Sequence, residues 1–434
     1  MKKILAILLS LSMLASGAVM MSGCDETETP AVDTPDTSAS DTVVDETPAK
    51  DPVDITVWAP DEVVELTQNA LNEWQTGLGA DYAHYTITVS AMGEGDAATQ
   101  MLTDVEAGAD VFGFAQDQLA RLVSVGALSA PGGVFLDNVK ANNDGGSVSA
   151  ATSGDTVYAY PETSDNGYFM YYDKSIVSDT ATLEAVLEQC NAAGKKFYMN
   201  LQSGWYNVAF FFGAGTECYY NYDDAGMVQG GVCDFASEAG LAAFKGMIKL
   251  ASDPAFVESN SAAAFFNPEG GDAAVVISGT WDSATISGFL GENYGACKLP
   301  TFNVDGTDYQ MGGFGGFKLV GVKPQNDSDK LVFCHMIADY ITGEEMQTLR
   351  FNEKGWGPSN LNAQALDAVQ NDPALAALAE QLNFCIGQGQ YPNEYWSLSE
   401  AFGTDVNAGK YDSMTDEELM AELEAYQEAL INAQ

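Results

Sequence analysis

Basic residues are scarce in this chain. Its 434 residues hold 17 Lys and Arg against 62 Asp and Glu, a formal net charge of −45. Nucleic acid and anionic lipid surfaces both require a positive footprint, so neither is an expected partner. Histidine is almost missing: His84 and His335 are the two, and their neighbours suggest no catalytic triad. GxSxG, HExxH and GxxxxGK[ST] are all absent. Gly313-Phe314-Gly315-Gly316 is not a dinucleotide loop, because Lys318 stands where the third glycine belongs. No two cysteines have CxxC spacing, which argues against zinc. Neighbouring acids such as Glu344-Glu345 and Glu417-Glu418 fall in helical segments, where solvated faces are the rule. No cofactor is therefore expected. A long hydrophobic run is missing too. Ile4 to Met13 is the start of the leading apolar stretch, and Ser10, Ser12 and Ser16 interrupt it, whereas a spanning helix needs about 20 apolar residues.

What the N-terminus does have is an export pattern. Lys2 and Lys3 precede the apolar stretch, and small residues follow it up to Met21-Ser22-Gly23-Cys24. Ser22-Gly23-Cys24 resembles the lipobox of bacterial lipoproteins, with Met21 in place of the usual leucine. That resemblance implies a signal peptide over 1–23 and lipidation of Cys24. Residues 24–53 are dominated by Asp, Glu, Thr, Pro, Ser, Ala and Val, without an aromatic side chain. Such a segment buries too little surface to offset its ordering entropy and reads as a charged tether. The expected arrangement is a lipid anchor, a tether and a globular body at the outer face of the cell membrane.

The body alternates strand and helix patterns. Asp54 to Trp58 alternates as a strand, and Val63, Ala70, Leu71 and Trp74 share one helix face. Tyr85–Val89 is a second strand, with a helix marked by Met101, Leu102 and Val105 and closed by Gly108. Asp110–Phe114 is a third strand, followed by a helix over Asp117–Val125. This order implies an α/β fold with a largely parallel sheet. Further on, Ala273–Ile277 reads as a buried strand, Gln310–Val322 as a glycine-rich strand, and the chain from Ser328 as mostly helical. The last helix starts near Thr415, where Thr415 and Glu418 form a capping box ahead of Leu419, Leu423, Tyr426 and Leu430.

Seven cysteines are present; with Cys24 lipidated, six remain. Cys218 and Cys233 flank a hairpin pattern that turns at Asp223-Asp224-Ala225-Gly226, so a bridge between them is expected. Cys190, Cys297, Cys334 and Cys385 lie in apolar surroundings suited to free thiols. Aromatic residues are the positive signal: 6 Trp, 19 Tyr and 21 Phe. Trp205, Trp281, Trp356, Tyr391, Tyr395 and Trp396 sit beside glycine, proline or polar residues, where loops belong. Aromatic faces stack on the C–H face of a sugar while nearby acids and amides bond its hydroxyls.

Ordered motifs carry the resemblance of the whole body. They are Ile55-Thr56-Val57-Trp58, Asp110-Val111-Phe112 with Phe114-Ala115-Gln116-Asp117, Gly126-Ala127-Leu128, Tyr160-Pro161, and Tyr171-Tyr172-Asp173-Lys174. Ile277-Ser278-Gly279-Thr280-Trp281, Tyr294-Gly295, Leu299-Pro300-Thr301-Phe302 and Thr342-Gly343-Glu344-Glu345 follow. From about Asp54 onward the chain resembles the extracellular solute-binding proteins of bacterial ABC importers, in the maltose- and maltodextrin-binding group. The resemblance implies a two-lobed α/β fold with a ligand cleft between the lobes. It places the N-lobe at 54–165 and 297–342 and the C-lobe at 166–296 and 343–434. It implies a monomer that captures an oligosaccharide, foremost a malto-oligosaccharide, for a permease with a separate ATPase, and no catalysis. Phe114 stands where the group has a stacking tryptophan. Asp117 and Asp165 match acids that bond sugar hydroxyls. Trp205, Tyr206, Trp281 and Trp396 match aromatic contacts, and Asp61 and Glu62 fall near polar contacts after the first strand. A glycoside hydrolase, or an adhesion module without transport, remains the alternative on the residues alone.

Overall fold

The computed structural model describes residues 50–223 and 227–433. The signal segment, Cys24, most of the tether and the turn at Asp224-Ala225-Gly226 lie outside the described residues. The elements that frame the site are named here in chain order. β1 (Val53–Ala59), α1 (Val64–Leu78), β2 (Tyr85–Ala91), α2 (Glu94–Thr103) and β3 (Val111–Ala115) come first, then β4 (Tyr160–Asn166). β5 (Phe169–Asp173), β6 (Lys196–Met199), α3 (Gly204–Gly213), β7 (Cys218–Tyr222), β8 (Val228–Cys233), β9 (Phe256–Glu258), β10 (Ala273–Ser278) and β11 (Tyr294–Cys297) follow. The set closes with β12 (Gly313–Val322), β13 (Cys385–Gly387), α4 (Asn393–Asn407) and α5 (Asp416–Ile431).

Apart from the β7–β8 hairpin, two sheets divide these strands, giving a two-lobed α/β fold. The first runs β13-β12-β3-β1-β2, with β4 also paired to β12. β1 is parallel to β2 and β3, and β12 is antiparallel to β3 and β4. The second runs β9-β6-β10-β5-β11, with β9, β6 and β10 parallel and β5 antiparallel to β10 and β11. The chain passes from the first sheet to the second through Gly167-Tyr168 and returns in the stretch before β12.

Burial follows the sequence pattern. Ile55 and Val57 of β1 point into a core around the first sheet, with Leu71, Met101, Phe112, Leu319 and Ile337. β10 is buried at all six residues. Val275 and Ile277 face one core and Val276 faces another, the signature of a strand covered on both sides. α3 is apolar nearly all round, with Val208 to Phe211 fully buried, so tertiary burial decides its helical state over a run whose aromatic content also suits a strand. The capping box of α5 is present: Glu418 N–H donates to Thr415 Oγ1 at 3.3 Å, and Thr415 N–H donates to the Glu418 carboxylate at 2.8 Å.

Four expectations shift. The helix marked by Met101 ends at Thr103, and Gly108 is needed for space: a Cβ there would lie 2.0 Å from Met101 Sδ. The expected helix over 117–125 splits into a 3₁₀ turn, Gln116–Gln118, and a short helix, Leu119–Ser124. Phe114 is fully buried beside Phe112, at 5.8 Å between ring centroids, because every side chain of β3 up to that point is enclosed. Cys218 and Cys233 are directly opposed across the β7–β8 hairpin, and both are thiols rather than a bridge. Asp234 N–H donates to Glu217 O, so the cysteines form the non-hydrogen-bonded pair beside it, where Cα atoms approach to about 4.5 Å. Cys190, Cys297, Cys334 and Cys385 are also free. Among the described residues no helix is long and apolar enough to cross a membrane.

Candidate functional site

A cleft of ≈ 770 Å³ lies where the strand ends of the two sheets face each other. Open α/β sheets place ligands outside the carboxyl ends of their strands. Here β1 delivers Glu62, β2 delivers Glu94 and Thr99 through α2, and β3 delivers Ala115, Asp117 and Gln118. From the second sheet, β6 leads into Trp205 and Tyr206, and β10 leads into Trp281. Helix α4 adds Asn393, Trp396 and Ser397, and Gly95, Asn166, Lys318 and Gln388 complete the lining.

One wall is aromatic. Ser203 caps α3 by accepting from Trp205 N–H at 3.2 Å, so the first turn of that helix faces the cleft while the next turn enters the core. Trp205 lies 5.9 Å from Trp281 and 5.0 Å from Tyr206 between centroids, and Tyr168 braces it edge-on at 4.7 Å. Its Nε1–H donates to Gln388 Oε1 at 3.1 Å, which fixes the plane of the indole. Trp281 follows the second sheet but packs on the core of the first. Its ring folds back over Gly279, where a Cβ would sit 2.1 Å from Cζ3. Trp396 is half-buried against Tyr391 and Tyr395, at 5.6 and 4.8 Å.

The floor is ionic. Lys318 is buried, pairs with Glu94 at 3.1 Å, and places its ammonium 5.3 Å from the Trp281 ring and 4.4 Å from the Trp356 ring. Burial alone would lower its pKa, but Glu94, Asp165 and Glu162 hold it above the ordinary lysine value. Behind it, Glu162 and Arg350 form a second buried pair at 3.1 Å. A buried cation costs several kcal/mol unless paired, and this one is matched by carboxylates and two indole faces.

Asp117 is the buried acid of the opposite wall. Gln118 Nε2–H donates to its Oδ2 at 2.8 Å, and its Oδ1 has no partner among the described residues. Burial pushes this carboxyl up to about 7, against the opposing pull of Arg121. Arg121 donates to Gln118 and, across the cleft, to Asn393 of α4.

Six of the residues expected from sequence meet in the cleft: Glu62, Asp117, Trp205, Tyr206, Trp281 and Trp396. Three do not line it. Asp61 is exposed beside Glu62. Phe114 belongs to the core, one residue short of Ala115, which does line the cleft. Asp165 is buried behind it, accepting from Thr280 Oγ1 and Gly357 N–H at 2.5 Å each, and so ties the crossing segment to two distant loops. Sequence reasoning missed Glu94, Gln118, Asn166, Lys318, Gln388 and Asn393. The strand-end rule alone points to Glu94, which opens the helix after β2. Nothing local marks the others, because long-range folding brings them together.

A family profile described as bacterial extracellular solute-binding protein matches residues 75–377. Among solved structures, one described as a complex with acarbose is 27% identical, with a TM-score of 0.75, covering 88% of this chain and 99% of its own. The maltodextrin binding protein MalE1 from L. casei BL23 is 21% identical, with a TM-score of 0.69, covering 88% of this chain and 100% of its own. The maltose-maltodextrin binding protein of Alicyclobacillus acidocaldarius is 18% identical at a TM-score of 0.69, covering 87% and 100%. Among curated protein sequences none matches the chain.

Proposed function

The chain belongs to the bacterial extracellular solute-binding proteins, and from that premise we propose that its cleft captures an oligosaccharide, foremost a malto-oligosaccharide, for an ABC importer. The observation that carries this reading is the arc of Trp205, Tyr206, Trp281 and Trp396 set against Glu62, Asp117, Gln118 and Asn393. Indole faces offer apolar area to the C–H face of each ring, and the acids and amides across the cleft accept and donate at its hydroxyls. The solved relatives named for acarbose and maltodextrin fit this chemistry. Lys318, neutralised by Glu94, serves the floor and does not select an anionic ligand.

In this reading the lobes are 54–165 with 297–342, and 166–296 with 343–434. Ligand bridging the two walls biases a hinge equilibrium toward closure, which the permease reads. No bond in the ligand is broken, and a separate ATPase supplies the energy. Cys24 carries the lipid that keeps the body, a monomer, at the outer membrane face through the tether.

Calorimetry with maltose through maltoheptaose tests the ligand, and small-angle scattering on the same samples tests closure. Saturable binding with a falling radius of gyration supports the reading. Failure to bind any glycan of this series defeats the malto-oligosaccharide assignment. Cys24→Ala should free the protein into the medium, and unchanged membrane retention would refute the anchor.

A further inference from the structure

Two glutamines outside the cleft lining hold one that belongs to it. Gln116 opens the 3₁₀ turn after β3, and Gln390 follows β13. Neither lines the cleft, whereas Gln388 does. We propose that Gln116 and Gln390 are positioning residues for ligand binding: they clasp the segment 388–390 to the end of β3 and, through Gln388, hold the Trp205 indole at its stacking angle. The inference rests on the oligosaccharide reading above and adds the residues that set one of its aromatic contacts.

The clasp is reciprocal. Gln116 Nε2–H donates to Gln388 O at 2.5 Å, and Gln390 Nε2–H donates back to Gln116 O at 2.9 Å. Each side-chain amide is also engaged at its oxygen. Gln116 Oε1 accepts from Phe317 N–H of β12 at 2.8 Å, and Gln390 Oε1 accepts from Ala120 N–H at 3.0 Å. Gln388 N–H donates to Gly315 O of β12 at 2.8 Å. A planar amide bonded at both its oxygen and its nitrogen is held in one orientation, because flipping it breaks both bonds.

What the clasp restrains has little stiffness of its own. The stretch reads Gly387-Gln388-Gly389-Gln390. Neither glycine has a positive φ, and a Cβ on either would meet nothing within 4 Å. Sterics therefore do not demand glycine at these positions. Two glycines leave the backbone around Gln388 free to rotate unless something pins it. Gln116 and Gln390 supply the pins.

The pinned side chain reaches the aromatic wall on the other side. Gln388 is buried, and its Oε1 accepts from Trp205 Nε1–H at 3.1 Å and from Asn166 Nδ2–H at 3.4 Å. Tyr168 and Tyr206 meet the Trp205 ring edge-on, at 4.7 and 5.0 Å. Edge contacts between rings tolerate rotation more readily than a hydrogen bond does, so the bond to Gln388 selects the angle of the indole. A wall set before the ligand arrives lowers the ordering cost of binding.

The test joins NMR of the ¹⁵N-labelled, ligand-free protein to calorimetry with maltose through maltoheptaose. The indole N–H signal of Trp205 is the one lost in Trp205→Phe. In Gln116→Leu and in Gln390→Leu this signal should move and exchange its hydrogen faster, while the other indole signals stay in place and show that the variants are folded. Affinity should fall about tenfold in each, the worth of one hydrogen bond. Gln388→Leu should move the same signal, and Gln116→Leu/Gln388→Leu should bind no worse than Gln388→Leu alone. An unmoved Trp205 signal in Gln116→Leu overturns the clasp, as does a double variant in which the two single losses multiply. Displacement of every indole signal overturns it too, since that is the mark of a purely structural role. A wild type that binds none of the series overturns the oligosaccharide reading, and the ligand-free spectra still decide the clasp.

Discussion

Replacing Gly279 with alanine should abolish the Trp281 contact without altering Trp281 itself. A Cβ at this position falls 2.1 Å from Cζ3, 2.2 Å from Cη2 and 2.6 Å from Cε3 of the indole. Carbon atoms rest at about 3.5–4.0 Å, so the ring must retreat by roughly 1.5 Å or swing away. The backbone raises no objection: Gly279 has φ −101 and ψ −171, extended values that alanine adopts. Loss of glycine's freedom in the unfolded chain even favours folding by about 0.4–1 kcal/mol. The damage therefore falls on binding. An indole face covering about 80 Å² of sugar C–H surface contributes about 2 kcal/mol at 25 cal/mol per Å², or roughly 30-fold in affinity. Calorimetry on Gly279→Ala, Trp281→Ala and the double variant decides the matter. Each single change should cost about 30-fold, and the double should bind no worse than Trp281→Ala, since without the ring the methyl displaces nothing. Wild-type affinity of Gly279→Ala, or losses that add in the double variant, would refute the stacking role of Trp281.

Asp165→Ala should lower unfolding stability by about 3 kcal/mol, because Thr280 and Gly357 lose a buried charged acceptor; a urea midpoint equal to wild type would show that Asp165 does not hold the crossing segment. Asp117 has its carboxyl raised from 3.8 to about 7, so the native state binds more protons than the unfolded state across that window, and its contribution to stability falls as pH rises through it. Asp117→Asn should flatten this decline in urea midpoints between about pH 4 and 7, and parallel curves for the two proteins would contradict the assignment. Cys218 and Cys233, opposed in a non-hydrogen-bonded pair, should bridge on air oxidation and stabilise the fold by about 3 kcal/mol in the chain-entropy model. Peptide mapping of oxidised protein that recovers both as thiols would end that expectation.

Local pattern settled much of this protein in advance. The alternation in β1 and the periodicity of α1 follow from residues a few positions apart, as does the capping box of α5. Trp281 was legible as well, since Ser278-Gly279-Thr280 after a buried strand turns the chain out at a strand end. Residues whose place depends on distant chain were not legible. Phe114 and Ala115 are neighbours in sequence, yet the packing of β12 against β3 sends one into the core and leaves the other at the cleft. Asp165 reads as a ligand contact until Thr280 and Gly357, 115 and 192 residues away, are seen to donate to its Oδ2 behind the cleft. Lys318 shows in sequence only as a residue that spoils a glycine loop; three-dimensional packing surrounds it with Glu94, Trp281 and Trp356 and makes it the floor of the site. Sequence determines what is encoded by period and by short-range stereochemistry. Which side chains meet across two lobes is decided by long-range packing, and a local pattern carries no record of it.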